Sequence, residues 1–133
     1  MNDIESLTKE VIDCTFQVHS QLGPGLLEST YEACLCHELS LRNIPFKRQV
    51  SLPVIYKETK LDAGYRLDLL IDDQLIIELK SVEQLENIHK AQLLTYLKLS
   101  QKTLGLLINF NSTLIKDGIK RVVLNNPNKP SLS

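Results

Sequence analysis

Asp68, Glu78 and Lys80 are the residues of this chain whose types and spacing could do chemistry. Glu78 and Lys80 stand two apart in the apolar run Leu75–Lys80. On a strand, both side chains would leave one face, roughly 7 Å apart. Asp68 lies in the preceding run, Leu61–Ile71. If Ile71 pairs with Leu75 across Asp72-Asp73-Gln74, Asp68 falls opposite Glu78 on the same side of the sheet. A two-residue loop without a bulge would throw Asp68 to the other face, so the arrangement needs a three- or five-residue loop around Asp73, or a bulge. Two carboxylates held together repel unless something neutralises them, and hard oxygen donors of this kind suit Mg²⁺ or Mn²⁺. The same residues also fit a surface ladder of ion pairs, Lys80 with Glu78 and Arg66 with Asp68, which would contribute little.

The elements around these residues are legible. Ile4, Leu7, Val11, Cys14, Val18 and Leu22 recur at spacings of three and four, one stripe of an amphipathic helix. Gly23-Pro24-Gly25 ends it, because Pro cannot continue a helix and Gly tolerates the backbone of a C-terminal cap. A second helix is expected from about Leu26 to Asn43, burying Leu27, Tyr31, Cys34, Leu35 and Leu39. Phe46–Tyr56 and Leu61–Ile71 are rich in Val, Ile, Leu and Tyr and read as strands, with Pro53 best tolerated on a sheet edge. Tyr65–Lys80 then reads as a β-hairpin. Leu85–Leu99 returns to helical spacing. Leu104–Phe110, unbroken and apolar, suits a strand covered on both faces, and Ile119–Leu124 suits a last one. The expected order is α-α-β-β-β-α-β-β, a mixed α/β domain over residues 1–124, with 125–133 a loose tail.

The chain has 133 residues, of which 43% are hydrophobic and 23% charged, a composition for one folded domain rather than two or a disordered chain. No apolar stretch approaches the ~20 residues that cross a bilayer, and MNDIESLTKE lacks the regions of a secretion signal. A cytoplasmic protein without membrane contact is expected. The net charge of −1 conceals a polarity: residues 1–40 carry seven acids and one base, residues 41–133 fourteen bases and nine acids. That asymmetry fits a polyanion partner on the basic part, or simply two differently solvated faces. Cys14, Cys34 and Cys36 are an odd set, two of them badly spaced to share an ion, and suit small buried positions. His19, His37 and His89 show no metal-ligand spacing.

Three motifs complete the pattern. Asp68 followed by Glu78-Leu79-Lys80 is one, Gly25-Leu26-Leu27-Glu28-Ser29-Thr30-Tyr31 reads G-x-x-E-x-x-Y, and Gln92-Leu93-Leu94-Thr95-Tyr96 reads Q-h-x-x-Y. On its own, Glu28 suits the first turn of a helix, where the dipole favours an anion. Gln92 and Tyr96, four apart on a helix, share a face, and Tyr31 suits a position packed behind Glu28. Together the motifs resemble the PD-(D/E)xK nuclease superfamily, with Leu67 where its name has Pro. From helix one to Leu124 the chain resembles the family named for G-x-x-E-x-x-Y, and the third motif resembles an element of RecB-like nucleases.

That resemblance implies a restriction-endonuclease-like fold, a mixed sheet flanked by helices, and a Mg²⁺-dependent nuclease on DNA, with Mn²⁺ as a substitute. It implies that Asp68, Glu78 and the Leu79 carbonyl hold the ion, with Glu28 as a further carboxylate. Lys80 would orient or deprotonate the attacking water, and Gln92 would brace the site. Iron–sulfur relatives need four Cys ligands, so no cluster is expected. Lys47, Arg48, Lys57, Lys60, Lys90 and Lys98 are candidates for phosphate contact. Two other classes fit the same chain: a non-catalytic nucleic-acid-binding or accessory subunit with this fold, and a structural or interaction protein. A homodimer is an expectation of assembly, with the apolar stripe of helix one as its candidate interface.

Overall fold

A computed structural model describes residues 3–125. Of the tail expected from residue 125, everything after Asn125 lies outside the described residues. Three helices, α1 (Ile4–Leu22), α2 (Glu28–Leu41) and α3 (Asn87–Ser100), enclose a five-stranded sheet of β1 (Phe46–Tyr56), β2 (Thr59–Ile71), β3 (Leu75–Lys80), β4 (Leu104–Asn109) and β5 (Ile119–Val123). The strands lie in chain order. β3 and β4 run parallel because α3 carries the chain back between them, and the other pairs are antiparallel. This is a restriction-endonuclease-like α/β architecture, in the order expected, with one short 3₁₀ turn (Ile115–Gly118) that the sequence did not signal.

α1 starts where Asp3 accepts the Ser6 N–H at 2.9 Å and stops at Gly23, whose backbone φ of 68° few other residues adopt easily. Leu7, Val11, Cys14 and Val18 are buried in the core that α1 and α2 share with one face of the sheet. This corrects the expected dimer interface: the stripe of helix one is spent within its own chain. Its last member, Leu22, is exposed. α2 is shorter at both ends than expected. Leu27, expected inside, is its N-cap and is exposed, and Arg42 closes the helix while bridging Glu10 at 2.9 Å and Asp13 at 2.5 Å on α1.

α3 covers the opposite face, where Leu93, Tyr96 and Leu97 pack with Leu52, Leu67, Leu70, Ile76, Leu107 and Val122. Its approach depends on Gly105, where a β-carbon would lie 3.0 Å from Leu93 Cδ1. With helices on both faces, β4 is buried throughout, as its unbroken apolar run requires. Pro53 sits on β1, an edge strand, at a shift of register between Leu52 and Val54.

The β2–β3 hairpin sets the site. Leu69–Ile77, Leu70–Ile76 and Ile71–Leu75 pair across a three-residue loop, in which Asp72 and Asp73 take positive φ of 50° and 57°. The alternation of β2 breaks between Leu67 and Leu69. Leu69 faces α1 and α2, yet Leu67, two residues away, belongs to the α3 side. Asp68 stands at the break, and on β1 the residue between the Arg48–Leu69 and Val50–Leu67 pairs is Gln49, with φ of 51°.

Candidate active site

The paired ladder of β2 and β3 ends at Leu69–Ile77, and beyond it two carboxylates take over the backbone donors. The Asp68 N–H donates to Glu78 Oε1 at 3.2 Å, and the Leu79 N–H donates to Asp68 Oδ2 at 2.7 Å. Glu78 is buried, and its carboxyl group is close enough to that of Asp68 for the two to act on each other. Burial first, then the charge of Asp68, pushes the Glu78 carboxyl well above the ordinary range. Burial likewise raises Asp68, against the Leu79 N–H that favours its charged form. A pair of desolvated, mutually repelling carboxylates is stabilised by a shared proton or by a cation.

Lys80 is the cation of the cluster. Its ammonium acts favourably on Glu78, Asp68 and Glu28 alike, although no ion pair closes to Glu78, and Arg66 forms none with Asp68 among the described residues. The surface-ladder reading is therefore not what forms. Glu28 enters from the first turn of α2. The residue as a whole is exposed, but burial of its carboxyl end is the largest cause that raises Glu28 above the ordinary range, against Lys80 and the Ser81 N–H, which both favour the charged form.

Each letter of G-x-x-E-x-x-Y has a physical task. Gly25 adopts φ of 100° in the connection between the helices. Tyr31 is fully buried, stacked on Phe110 with ring centroids 4.5 Å apart. Its hydroxyl donates to the Gly23 carbonyl at 2.6 Å and accepts the Leu26 N–H at 3.1 Å. Ser81 Oγ donates to the Leu26 carbonyl at 2.7 Å and ties the same loop to the end of β3. The loop that launches Glu28 is thus held from behind by Tyr31 and from the front by the residue after Lys80. Asn109, which sequence reasoning missed, clamps the next residue: it accepts from the Val82 N–H and donates to the Val82 carbonyl, both at 3.0 Å.

Gln92 is half-buried on α3 and takes part in none of the hydrogen bonds of the cluster. Tyr96, one turn on, comes closer: it is buried against Tyr65, with centroids 6.1 Å apart, and is raised first by burial and then by the charges of Glu78, Tyr65 and Asp68. Glu32 and Gln49 were also missed. Glu32 is buried one turn after Glu28, accepts from Arg48 Nη2 at 2.8 Å and from Gln49 Nε2 at 2.7 Å, and acts on Asp68. Arg48, expected at phosphate, is thereby held by Glu32, whereas Lys47, Lys57, Lys60, Lys90 and Lys98 are exposed. The histidines are elsewhere. His19 Nε2 bonds the Ser112 carbonyl at 2.8 Å, His89 accepts the Glu86 N–H at the start of α3, and His37 is exposed. Cys14 and Cys36 are buried, which pushes both thiols up to about 11.

The donor chemistry suits a hard divalent cation: two adjoining carboxylates, each using one oxygen on a backbone N–H, with a third carboxylate in electrostatic range. Among the described residues no three His, Cys, Asp or Glu side chains converge into a complete ligand cluster, so Glu28 is a neighbour of the pair rather than part of it.

Residues 5–122 match the model of one protein family, described as the PD-(D/E)XK nuclease superfamily. Searches of curated proteins and of solved structures return no match. No described helix is long and apolar enough to cross a membrane.

Proposed function

Because the chain belongs to the PD-(D/E)XK nuclease superfamily, with its matched segment spanning most of its length, we propose that it is a divalent-metal-dependent nuclease hydrolysing phosphodiester bonds of DNA. The observation that carries this reading is the reciprocal pairing of Asp68 and Glu78 beside Lys80, at the point where β2 and β3 part. The tie from Tyr31 to the loop before Glu28 supports assignment to the G-x-x-E-x-x-Y branch.

Asp68, Glu78 and the Leu79 carbonyl would hold Mg²⁺, or Mn²⁺ in its place, with Glu28 alongside. Bound there, the ion would stabilise negative charge on the phosphate oxygens and the leaving group. The chain's own groups do the rest. Lys80 orients the attacking water and places positive charge beside the phosphorus as negative charge develops on its oxygens. Leu79 and Asp68 hold the two carboxylates through their N–H groups, so that little reorganisation is needed on binding. Exposed Lys47, Lys57, Lys60, Lys90 and Lys98 supply contacts to backbone phosphates, which position a nucleic acid without reading its sequence.

The experiment is a cleavage assay on linear, supercoiled and branched DNA with Mg²⁺ or Mn²⁺, comparing the parent chain with Asp68→Asn. Cleavage that needs the ion and vanishes in the variant supports the reading. Tight DNA binding without cleavage of any substrate would support the non-catalytic alternative instead.

A further inference from the structure

Gln49 is a polar residue on an edge strand, yet its backbone lies in the left-handed region at φ of 51°, which costs a non-glycine residue energy that the surrounding structure must offset. The distortion coincides with the break in alternation opposite Asp68. It brings the side chains of consecutive residues, Arg48 and Gln49, to the same partner. Arg48 donates to Glu32 Oε2 through Nε at 3.2 Å and Nη2 at 2.8 Å, and Gln49 Nε2 donates to Glu32 Oε1 at 2.7 Å. The Gln49 side chain, which the strand register sets opposite Asp68, also acts on the Asp68 carboxyl and favours its charged form.

A carboxamide nitrogen has two hydrogens, one for each carboxylate. We propose that Gln49 is a positioning residue that bridges Glu32 and Asp68 and so fixes the Asp68 carboxylate against the Leu79 N–H. Without it, two negative groups would face each other with nothing between them, and Asp68 would turn away from Glu32 and from the ligand position it shares with Glu78. Arg48 completes the chain by neutralising Glu32 from its other oxygen. The order is Arg48, Glu32, Gln49, Asp68, Leu79, which passes from β1 to α2, back to β1, and then across β2 to β3. The inference rests on the reading of Asp68 as a ligand of the catalytic ion, and adds that its aim is set from β1.

The test is Gln49→Ala in the full chain, with Asp68→Asn as reference. Three quantities are measured: Mn²⁺ affinity by calorimetry, the rate and KM of DNA cleavage, and the chemical shift and hydrogen exchange of the Leu79 amide. Gln49→Ala is expected to weaken Mn²⁺ binding ten- to a hundred-fold, the usual cost of losing a group that orients a ligand. It should lower kcat with KM for DNA little changed, and move the Leu79 amide proton upfield with faster exchange, at an unchanged melting temperature. An unaltered Leu79 amide, or parental Mn²⁺ affinity in a variant whose Asp68→Asn counterpart has lost it, overturns the role of Gln49 and leaves the nuclease reading intact. If the parent itself binds no Mn²⁺ and cuts nothing, the nuclease reading fails, and the Leu79 amide alone decides whether Gln49 positions Asp68.

Discussion

Asp68 and Glu78 each hold the other's strand: the Asp68 N–H donates to Glu78 Oε1, and the Leu79 N–H, next to Glu78, donates to Asp68 Oδ2. The carboxylates stand where the next backbone bonds of the ladder would have been. These N–H groups favour the charged forms and so offset part of the desolvation and mutual repulsion of two acids in one place. The arrangement also means that removing one acid leaves a backbone donor to be satisfied, which a carboxamide of the same shape can do through its oxygen.

Asp68→Asn and Glu78→Gln are therefore expected to keep the fold and lose cleavage. Without metal their melting temperatures should equal or slightly exceed the parent's, since a raised carboxylate is replaced by a neutral group of nearly equal volume. Cleavage at the parental rate by either variant would contradict the assignment of the pair.

Lys80→Ala should reduce cleavage by a few orders of magnitude while retaining Mn²⁺ binding, because its role is to stabilise charge in the transition state rather than to hold the ion. Calorimetry and single-turnover cleavage separate the two. Lost metal binding with retained cleavage would exchange the roles of Lys80 and the carboxylates.

The metal-free protein should lose stability as pH rises. Burial pushes Glu78 up from 4.5 to about 8, so between those values the folded chain keeps a proton that the unfolded chain has released. The contribution is present in full below the ordinary value and is lost as pH climbs through the raised one. Denaturation from pH 4 to 9 should show this slope in the parent and a flatter profile in Glu78→Gln, and Mn²⁺ should stabilise the parent most at the alkaline end. A parent profile as flat as the variant's would contradict the burial of a charged Glu78.

Tyr31→Phe keeps the stack on Phe110 but leaves the Leu26 N–H and the Gly23 carbonyl without the hydroxyl. A loss of about 1–2 kcal/mol is expected in urea denaturation. Cleavage should fall further than the stability loss alone explains, because Glu28 is launched from the loop that Tyr31 fastens. Unchanged activity at reduced stability would confine Tyr31 to the core.

What the sequence showed and what it hid have a common physical origin. α1 was legible to the residue because its apolar period runs from Ile4 to Leu22 and Gly23 stops it there. The hairpin was legible because the polar Asp72-Asp73-Gln74 interrupts two apolar runs, and the three-residue loop, one of those that set Asp68 opposite Glu78, is the one that forms. Glu32 and Gln49 were hidden for the opposite reason. A glutamate in an acidic helix and a glutamine in an edge strand look like solvated surface, and their meeting depends on a break in alternation that leaves no mark in Leu67-Asp68-Leu69-Leu70-Ile71. Leu27 misled because its apolar side chain extends a helical spacing that the backbone had not yet begun.

The most direct measurement is a crystal of the full chain soaked in Mn²⁺ at neutral pH, with anomalous diffraction recorded at the manganese edge. The account predicts an anomalous peak bonded to carboxylate oxygens of both Asp68 and Glu78 that disappears in Asp68→Asn. An intact pair with no peak at saturating Mn²⁺, or a peak held by other residues in a crystal of cleavage-competent protein, would contradict it.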